Sequence, residues 1–267
     1  MRFFNRFMRG AATSVEQGYY GSLYDSMISH HRSEGLPERR ALEEAVGGGF
    51  EAFGAVEKDL LLAFGLRPEH FLVDLGCGSG RLTRKLVGFF SDKGKYLGLD
   101  TNRAFLEEAR SPVENSSAAG RFDFRLVTSP VIPCEDATVD YIVAFSVATH
   151  IDLEDTYSYL AEMARALKPG GKSVVSYLST EIPDHWRIFL EEAATPVDVR
   201  HQRVRNFVLV PGALNSLAGK AGLRVLEDIP ADQPRIALTE DLEAYGKKYS
   251  PGDKIHLGQS FLVLTPR

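Results

Sequence analysis

A glycine-rich turn that joins a short apolar segment to an amphipathic one restricts the fold more than any other feature of this sequence. The apolar segment covers residues 71–75 (FLVDL), the glycines are Gly76, Gly78 and Gly80, and helical periodicity follows over 81–90. Glycine lets the backbone turn sharply and approach a ligand that a Cβ atom would exclude. A buried strand that leads through such a turn into a helix is typical of open α/β sheets, which bind ligands at the carboxyl ends of their strands.

The alternation of short apolar and amphipathic segments continues along the chain as far as residue 178. Further strands are predicted over 95–100, 121–127, 139–145 and 171–178, with helices over 103–110 and 154–167. After a less regular stretch, the last predicted elements are a helix over 212–221 and strands over 223–229 and 259–266. Strands that alternate with helices predict a parallel sheet with helices on both of its faces.

The chain divides into two predicted domains. Residues 1–65 are helical in pattern and predict an N-terminal helical cap, whereas residues 66–267 form the α/β domain. Apolar residues at helical spacing over 60–64 are expected to pack on the domain that follows. Two irregular excursions from the α/β pattern occur near 179–210 and 231–256. Long excursions near the end of a sheet suit lids or pocket walls, so we expect both on the substrate side.

Composition and charge exclude several classes of protein. The chain has 267 residues, of which 44% are hydrophobic and 25% charged, ordinary values for a globular protein. Its net charge of -5 argues against a protein that coats nucleic acid, so nucleic acid is not an expected partner. The two cysteines, Cys77 and Cys134, are too few for a disulfide framework, and the expected location is the cytoplasm. No apolar run approaches the ~18 residues that span a bilayer.

The amino-terminal segment MRFFNRFMRG has an amphipathic pattern of its own. Phe3, Phe4, Phe7 and Met8 share one helical face, with arginines around it. The segment lacks the long apolar core and the cleavage site of a signal peptide. Two interpretations stay open, namely a frayed or packed terminus and a contact with a membrane surface or a partner.

An acidic residue stands at the end of the second predicted strand. Asp100 lies twenty positions after Gly80, and a carboxylate at this place accepts hydrogen bonds from both hydroxyls of a ribose. A glycine turn together with this carboxylate predicts a cofactor of the adenosine type. The dinucleotide fingerprint G-x-G-x-x-G requires glycine at position 81, where this chain has Arg81. This difference argues against an oxidoreductase that uses a nicotinamide cofactor.

Four segments in order resemble the motifs of a known enzyme family. The segment VDLGCGSGRLTRKL is similar to the first motif of the class I S-adenosylmethionine (SAM) dependent methyltransferases, and YLGLDTNRAFLEEAR is similar to the second. VDYIVAFSVATHI resembles the family's fourth strand with its following loop, and ALKPGGKSVVSY the helix–turn–strand before its substrate region. The resemblance implies a doubly wound, mostly parallel seven-stranded sheet with an antiparallel last strand. It also implies SAM as the cofactor and S-adenosylhomocysteine as the product.

The same resemblance implies which residues hold the cofactor. Asp74 is expected near the methionine amino group, directly or through water, with the glycine turn beneath the methionine and the ribose. Asp100 is expected to hold the ribose, while Phe145 and Ser146 lie near the transferable methyl group. Thr128 or backbone groups stand where the family often has an acidic residue that contacts adenine. The full set that the resemblance implies is Asp74, Gly76, Cys77, Gly78, Gly80, Asp100, Thr101, Asn102, Thr128, Phe145 and Ser146.

His150 follows the fourth predicted strand and is the candidate general base. Imidazole titrates near neutral pH, and the end of a strand places this side chain at the mouth of the pocket. A histidine that the loop backbone holds is the alternative interpretation. The candidate substrate-binding residues are Tyr19, Tyr20, His185, Trp186 and Arg203. For each of these five, packing or a solvated surface is the alternative that the sequence leaves open.

The sequence favours a small molecule as the methyl acceptor. The chain lacks the Asn/Asp-Pro-Pro-Tyr motif of the base-amino methyltransferases of nucleic acids, and its net charge is acidic. The expected reaction is a metal-independent O-methylation of a sugar or a secondary metabolite. Three alternatives stay open: a protein or RNA methyltransferase, a non-catalytic SAM-binding module, and a nicotinamide-dependent oxidoreductase.

Overall fold

The computed structural model describes residues 18–244 and 246–267. The amphipathic segment MRFFNRFMRG therefore lies outside the described residues, and both interpretations of it stay open. Within these two ranges, no helix is long and apolar enough to cross a membrane.

Helices and strands alternate through most of the described chain. The α-helices are α1 (Gly18–Ser33), α2 (Glu38–Ala45), α3 (Phe50–Ala63), α4 (Arg81–Leu86), α5 (Arg103–Glu114), α6 (Leu153–Ala166), α7 (Pro183–Ala194), α8 (Val197–Arg200) and α9 (Ala213–Lys220). The strands are β1 (Phe71–Leu75), β2 (Lys95–Asp100), β3 (Phe122–Leu126), β4 (Val139–Ala144), β5 (Leu167–Ser179), β6 (Val208–Leu209), β7 (Leu223–Ile229), β8 (Ile236–Ala237), β9 (Leu242–Ala244), β10 (Lys247–Tyr249), β11 (Lys254–Ile255) and β12 (Ser260–Pro266). A short 3-10 turn, Ala119–Arg121, precedes β3.

One large sheet runs through the molecule in the order β3-β2-β1-β4-β5-β12-β7. The first five strands of this order are parallel, whereas β12 lies antiparallel between β5 and β7. The two-residue β6 adds a parallel pairing at the end of β5. The predicted doubly wound, mostly parallel sheet with an antiparallel last strand is therefore confirmed.

The sheet has a buried apolar core on each face. Leu72 and Val143 pack with α3, α4 and α5 on one face, whereas Val73 and Ile142 pack with α6 and α9 on the other. Side chains alternate across a strand, so a strand that is covered on both faces is apolar at successive positions. β1 pairs with β2 on one side and β4 on the other, which makes its carboxyl end the switch point where such sheets bind ligands.

Helix α3 is joined to the sheet by apolar packing and to the segment between β8 and β9 by hydrogen bonds. Leu60 and Leu61 are fully buried in the same core cluster as Leu72, as the helical spacing over 60–64 predicted. Asp59 accepts hydrogen bonds from the backbone N (2.8 Å) and Oγ1 (2.7 Å) of Thr239. The division of the chain at residue 65 stays a prediction.

The two irregular excursions contain elements that the sequence pattern did not predict. The first holds α7 and α8, and the residues that α7 buries are His185 and Glu192 rather than an apolar stripe. Without such a stripe, hydrophobic periodicity has no helix to detect. The second excursion holds two small antiparallel ribbons, β9–β10 and β8–β11. Helix α4 also ends at Leu86 instead of continuing to residue 90, because Gly88 turns the backbone with a φ of +84°.

Candidate functional site

A cavity of about 580 Å³ lies at the carboxyl ends of the central strands. Gly76, Asp100 and Phe145, which end or follow β1, β2 and β4, all line it. Its volume falls within the ~300–1,000 Å³ that is typical of small-molecule sites. Helix α1 forms one wall through a group of side chains on its inner face, namely Tyr20, Leu23, Tyr24 and Met27.

The glycine turn lines the floor of this cavity because it carries no side chains. Gly76 has a φ of +71°, and a Cβ atom there would lie 2.4 Å from Cγ2 of Val147. Gly80 has a φ of +88°, and its Cβ would lie 2.7 Å from the Cα of Ala109 in α5. Gly76 and Gly78 therefore shape the cavity, whereas Gly80 lets α4 pack closely against α5 and does not line the cavity.

Asp100 ends β2 with its carboxylate held by backbone amides. Its Oδ2 accepts from the N of Gly78 and its Oδ1 accepts from the N of Asn102, both at 2.9 Å. Burial raises the pKa of Asp100 to about 6, although these amide hydrogen bonds act in the opposite direction. Each carboxylate oxygen can accept a second hydrogen bond, so Asp100 keeps acceptor capacity for a ligand in the cavity.

Asp74 lies beneath the glycine turn and does not line the cavity. Its Oδ2 accepts a hydrogen bond of 2.6 Å from the hydroxyl of Tyr96, which also contacts Oγ1 of Thr83 at 2.9 Å. The residue is 3% exposed, and this burial raises the pKa of Asp74 to about 6. Asp74 is thus not a lining residue of the cavity, and its expected contact with the methionine amino group, directly or through water, stays a prediction.

Asn102 is a helix cap that also holds α1. Its Oδ1 accepts from the N atoms of Ala104 and Phe105 in the first turn of α5. Its Nδ2 donates to the backbone O of Gly21 and to Oδ1 of Asp25, both in α1. The side chain is fully buried and does not line the cavity, in contrast to the cofactor contact that the resemblance implied.

The segment after β3 places Val127 in the cavity wall instead of Thr128. A Cβ added to Gly18 would touch the Cβ and carbonyl O of Thr128 at 3.4 Å, so this threonine faces the start of α1. The expected contact between Thr128 and adenine is therefore not supported, and an apolar side chain stands in its place. Cys77 and Thr101 do line the cavity. Burial raises the pKa of the Cys77 thiol well above its ordinary value, so that the thiol stays protonated.

Ser146 adopts a strained conformation where β4 ends. Its φ of +57° lies in the left-handed region, which a serine seldom occupies. The N of Ser146 donates to Oγ of Ser176 at 2.7 Å, and its Oγ accepts from Nε2 of Gln259 at 2.9 Å. Ser146, Phe145 and Gln259 all line the cavity. Such strain is often found at functional sites.

His150 lines the cavity and is held in one tautomer. Its Nδ1 lies 2.7 Å from the backbone O of Arg205. A carbonyl oxygen only accepts, so Nδ1 carries the proton and Nε2 keeps a lone pair. Burial lowers the pKa of His150 below its ordinary value, which favours the neutral form. A neutral imidazole with a free Nε2 lone pair is the state that a general base requires.

Glu192 of α7 fixes the loop that holds His150. Its Oε2 accepts from Nη2 of Arg203 at 3.0 Å, and its Oε1 accepts from the N of Asn206 at 2.9 Å. These two residues flank Arg205, whose carbonyl accepts from His150. Arg203, a candidate substrate residue, is therefore paired within the loop and does not line the cavity, whereas Asn206 does.

The two tyrosines that were expected to contact substrate have different positions. Tyr20 lines the cavity, and its hydroxyl donates to Oδ2 of Asp155 (2.6 Å) and accepts from the N of Asp152 (3.2 Å). Tyr19 lies outside the cavity, and its hydroxyl donates to the backbone O of His201 at 3.0 Å. Both tyrosines therefore attach α1 to the rest of the molecule.

Neither His185 nor Trp186 lines the cavity. His185 is buried, its Nδ1 accepts from the N of Ser179, and its Nε2 donates to the O of Gly258, both at 3.0 Å. Trp186 is exposed and stacks on Phe189 with ring centroids 4.8 Å apart. His185 is thus packed in the interior, whereas Trp186 lies at the surface.

An ion pair that the sequence did not predict also lines the cavity. Glu57 of α3 and Arg81 of α4 lie 2.8 Å apart between Oε1 and Nε. In the sequence, Arg81 is notable only because it interrupts the dinucleotide fingerprint G-x-G-x-x-G. Glu57 lies inside a helical pattern and belongs to no binding motif. Pairing across two helices separated by a strand is a tertiary feature that a local pattern does not contain.

The match with a known family covers the central strands and the glycine turn, which supply about half of the residues that line this cavity. Residues 72–171 match the family model described as a methyltransferase domain. Residues 72–171 are therefore a methyltransferase domain of the class I SAM-dependent type. The expectation from the four sequence motifs is thereby confirmed, and SAM is the cofactor of the family.

Curated relatives of this methyltransferase include enzymes with different acceptors. It is 28% identical over 160 residues to the O-methyltransferase cnsE of Penicillium expansum, covering 60% of this chain and 53% of that one. It is 28% identical over 130 residues to the ubiquinone/menaquinone biosynthesis C-methyltransferase UbiE of Pseudoalteromonas translucida, covering 48% of this chain and 50% of that one. The chain thus spans about half the length of these two relatives.

Among solved structures, the methyltransferase resembles a chain in the complex between the Haloferax volcanii Trm112 methyltransferase activator and a putative methyltransferase. The TM-score is 0.58 at 18% identity, covering 91% of this chain and 97% of that one. At this identity the likeness concerns the fold.

The cavity of this methyltransferase fits the family's cofactor. Gly76 and Gly78 place backbone without side chains in the floor of the cavity, where a ligand can approach it closely. Asp100 supplies a carboxylate with spare acceptor capacity, and Phe105 and Val127 add apolar wall beside it. A carboxylate beside apolar side chains suits the hydroxyls of a ribose and the ring attached to it.

Proposed function

We propose that this methyltransferase transfers a methyl group from SAM to a hydroxyl of a small molecule, with His150 as the general base. The observation that carries the proposal is the hydrogen bond from Nδ1 of His150 to the backbone O of Arg205. This bond leaves the Nε2 lone pair of a neutral imidazole within a cavity that also contains the glycine turn and Asp100.

The residues of the chain then have separate tasks in the reaction. SAM, when bound, supplies a methyl group activated by its sulfonium and leaves as a neutral thioether. Nε2 of His150 takes the proton of the acceptor hydroxyl as the oxygen forms its bond to carbon. Ser146 and Phe145 border the reacting region, and α1 helps to exclude water. Alignment of this kind is worth ~7–11 kcal/mol in well-oriented reactions.

The cavity walls favour a neutral acceptor with apolar character. Val46, Phe53 and Leu257 contribute apolar surface, while Asn206 and Gln259 contribute amides that bind hydroxyls. The cavity's one guanidinium among the described residues, Arg81, is already paired with Glu57. An acceptor with an uncompensated charge would lack a partner there. These features support a small hydroxylated compound, such as a secondary metabolite or a sugar derivative with an apolar group.

Cofactor binding is tested first by calorimetric titration with SAM, S-adenosylhomocysteine, NAD and NADH. We expect binding of the first pair alone, and Asp100→Ala weakens that binding ~10- to 100-fold because charged hydrogen bonds are worth ~1.5–3 kcal/mol. Binding of the nicotinamide pair alone would contradict the proposal.

The acceptor class is tested by transfer of a labelled methyl group from SAM to a panel of hydroxyl, amine and carbon acceptors. Folded proteins and RNA are included at low and high salt, since binding to phosphates weakens as salt rises. We expect product from small hydroxyl compounds, with a rate that depends on His150. Transfer to carbon or nitrogen alone, transfer to a macromolecule alone, or SAM binding without any transfer would each overturn the proposal.

A further inference from the structure

A buried ion pair in the wall of the cavity has no part in the chemistry described so far. Glu57 is 2% exposed, and the side chain of Arg81 is 15% exposed. Both line the cavity, and Arg81 follows directly after the glycine turn. Buried ion pairs are weak contributors to stability, because the cost of desolvation offsets much of the attraction. Stability alone therefore does not account for this pair, and its place in the cavity wall suits a role in ligand binding.

The other carboxylates near the glycine turn already have partners or lie elsewhere. Asp74 is bound by Tyr96 and does not line the cavity. Among the described residues, the carboxylates that do line it belong to Glu44, Glu57 and Asp100. Glu44 pairs with Arg40 at 2.8 Å, and Asp100 lies at the end of β2. Glu57 is thus the carboxylate that a ligand cation would meet on the α3–α4 side of the cavity, together with its partner Arg81.

Arg81 is the matching cationic group. It is the one lysine or arginine among the described residues that line the cavity. A guanidinium carries five N–H donors, and its contacts here are Nε with Glu57 and Nη1 with the backbone O of Val46, the latter at 3.4 Å. Donors therefore remain for an anion, and a planar guanidinium binds a carboxylate through two parallel hydrogen bonds.

A ligand group with one ammonium and one carboxylate complements such a pair. Each charge of the group finds its opposite, so that no net charge is buried without a partner. An anion alone would face Glu57, and a cation alone would face Arg81. Burial raises the pKa of Glu57 to about 7 despite the charge of Arg81, so an additional cation beside this carboxylate would stabilise its ionised form.

We propose that the Glu57–Arg81 pair binds the α-ammonium and α-carboxylate of the amino acid end of the cofactor. Glu57 takes the ammonium for which Asp74 was the sequence-based candidate, and Arg81 takes the carboxylate. The proposal rests on the proposed function, since it assumes that SAM and S-adenosylhomocysteine occupy the cavity. It does not depend on the acceptor or on His150.

Two ligands distinguish binding of the amino acid end from binding of the rest of the cofactor. S-adenosylhomocysteine carries the amino acid end, whereas 5′-methylthioadenosine retains the adenosine and the sulfur but lacks that end. Their dissociation constants are measured by calorimetry on the full chain, for the wild type and for Glu57→Gln, Arg81→Gln and the double variant Glu57→Gln/Arg81→Met. The double variant removes both charges together, which avoids an unpaired buried charge.

We expect S-adenosylhomocysteine to bind ~10- to 100-fold more weakly to each variant, the size of one or two charged hydrogen bonds. The affinity for 5′-methylthioadenosine should stay within about twofold of the wild-type value, which also shows that the cavity is intact. The matched control is Arg84→Gln/Glu108→Gln, one turn further along α4. That pair lies 2.6 Å apart with side chains 13% and 18% exposed, and neither residue lines the cavity.

The remaining outcomes contradict the inference in distinguishable ways. Unchanged affinity for S-adenosylhomocysteine, or an equal loss for both ligands, would overturn the role of Glu57 and Arg81 while leaving the cofactor assignment in place. A loss of the same size in the control pair would also overturn it. A wild-type protein that binds neither ligand would overturn both the proposed function and this inference.

Discussion

The backbone O of Arg205 lies 2.7 Å from Nδ1 of His150, and this contact fixes which ring nitrogen is basic. Arg205 belongs to the loop after α8, whereas His150 follows β4. The orientation of the proposed base thus depends on a segment 55 residues further along the chain. Substitutions of His150 and of Glu192, which holds the loop of Arg205, test this dependence.

Replacement of His150 should lower turnover without weakening cofactor binding. We expect His150→Ala to reduce kcat ~10²- to 10⁴-fold, the usual contribution of a general base, with the affinity for S-adenosylhomocysteine within about twofold of wild type. A base must be unprotonated, and burial lowers the pKa of His150, so wild-type kcat/KM should fall only as the pH drops below 6.5. Equal kcat in the variant across the pH range would remove His150 as the base.

Glu192→Gln should lower the pKa of His150 while the protein keeps its fold. Glutamine keeps an acceptor for the N of Asn206, but it removes the charge that pairs with Arg203. The charge of Glu192 raises the pKa of His150 against the larger effect of burial, so the variant should show a still lower pKa. NMR titration of the imidazole measures this directly, with Glu191→Gln as the control on the same helix. An unchanged imidazole titration would show that Glu192 only packs.

Gly76→Ala should impair cofactor binding, and a second substitution should restore part of it. The added Cβ would lie 2.4 Å from Cγ2 of Val147, and the φ of +71° is strained for alanine. We expect Gly76→Ala to weaken SAM binding clearly. The double variant Gly76→Ala/Val147→Ala removes the clash, so it should bind SAM more tightly than Gly76→Ala alone. Gly88→Ala is the matched control, because Gly88 has a φ of +84° but no atom within 4 Å of the added Cβ. If Gly88→Ala weakens binding equally, backbone strain rather than the clash is responsible.

The stability of the Asp74→Asn variant relative to wild type should increase as the pH rises. Burial raises the pKa of Asp74 from 3.8 to about 6, so the folded state holds this proton more tightly than the unfolded state. The contribution of this bound proton to the free energy of unfolding is fully present below pH 3.8 and is lost as the pH rises through 6. The free energy of unfolding of the variant, relative to wild type, should therefore increase by ~2 kcal/mol between pH 4 and pH 7.

Urea unfolding at the two pH values measures this difference, and any constant cost of the asparagine cancels between them. Ser117→Ala, on the exposed face before β3, provides a control without a titratable group. A relative stability that is the same at pH 4 and pH 7 would mean that Asp74 titrates normally in the folded protein.

The sheet was predictable because its strands and glycine turn are local patterns. Val73 and Leu72 point to opposite faces and are both buried, so β1 is apolar at successive positions and stands out in the sequence. The excursion that holds α7 was not predictable, because this helix buries Glu192 and His185 in hydrogen bonds. Polar burial leaves no hydrophobic period to read.

Residues of the site were predictable to the extent that the backbone alone places them. Asp100 and Gly76 line the cavity because they occupy strand ends at the switch point. Asp74 stands near a strand end too, but its carboxylate accepts a hydrogen bond from Tyr96 and does not line the cavity. Glu57 comes from a helix that precedes the sheet, and its proximity to Arg81 arises from helix packing that no spacing in the sequence encodes.

The cap of α5 has a consequence for the energetics of ligand exchange. Asn102 joins the first turn of α5 to α1, and α1 supplies part of the cavity wall. A ligand that packs against this wall therefore strengthens the attachment of α1, and by reciprocity a firmer attachment tightens the ligand. The two equilibria share one coupling free energy. We therefore expect the affinity of the cavity for a ligand to depend on how firmly α1 is held, as well as on the groups that touch the ligand.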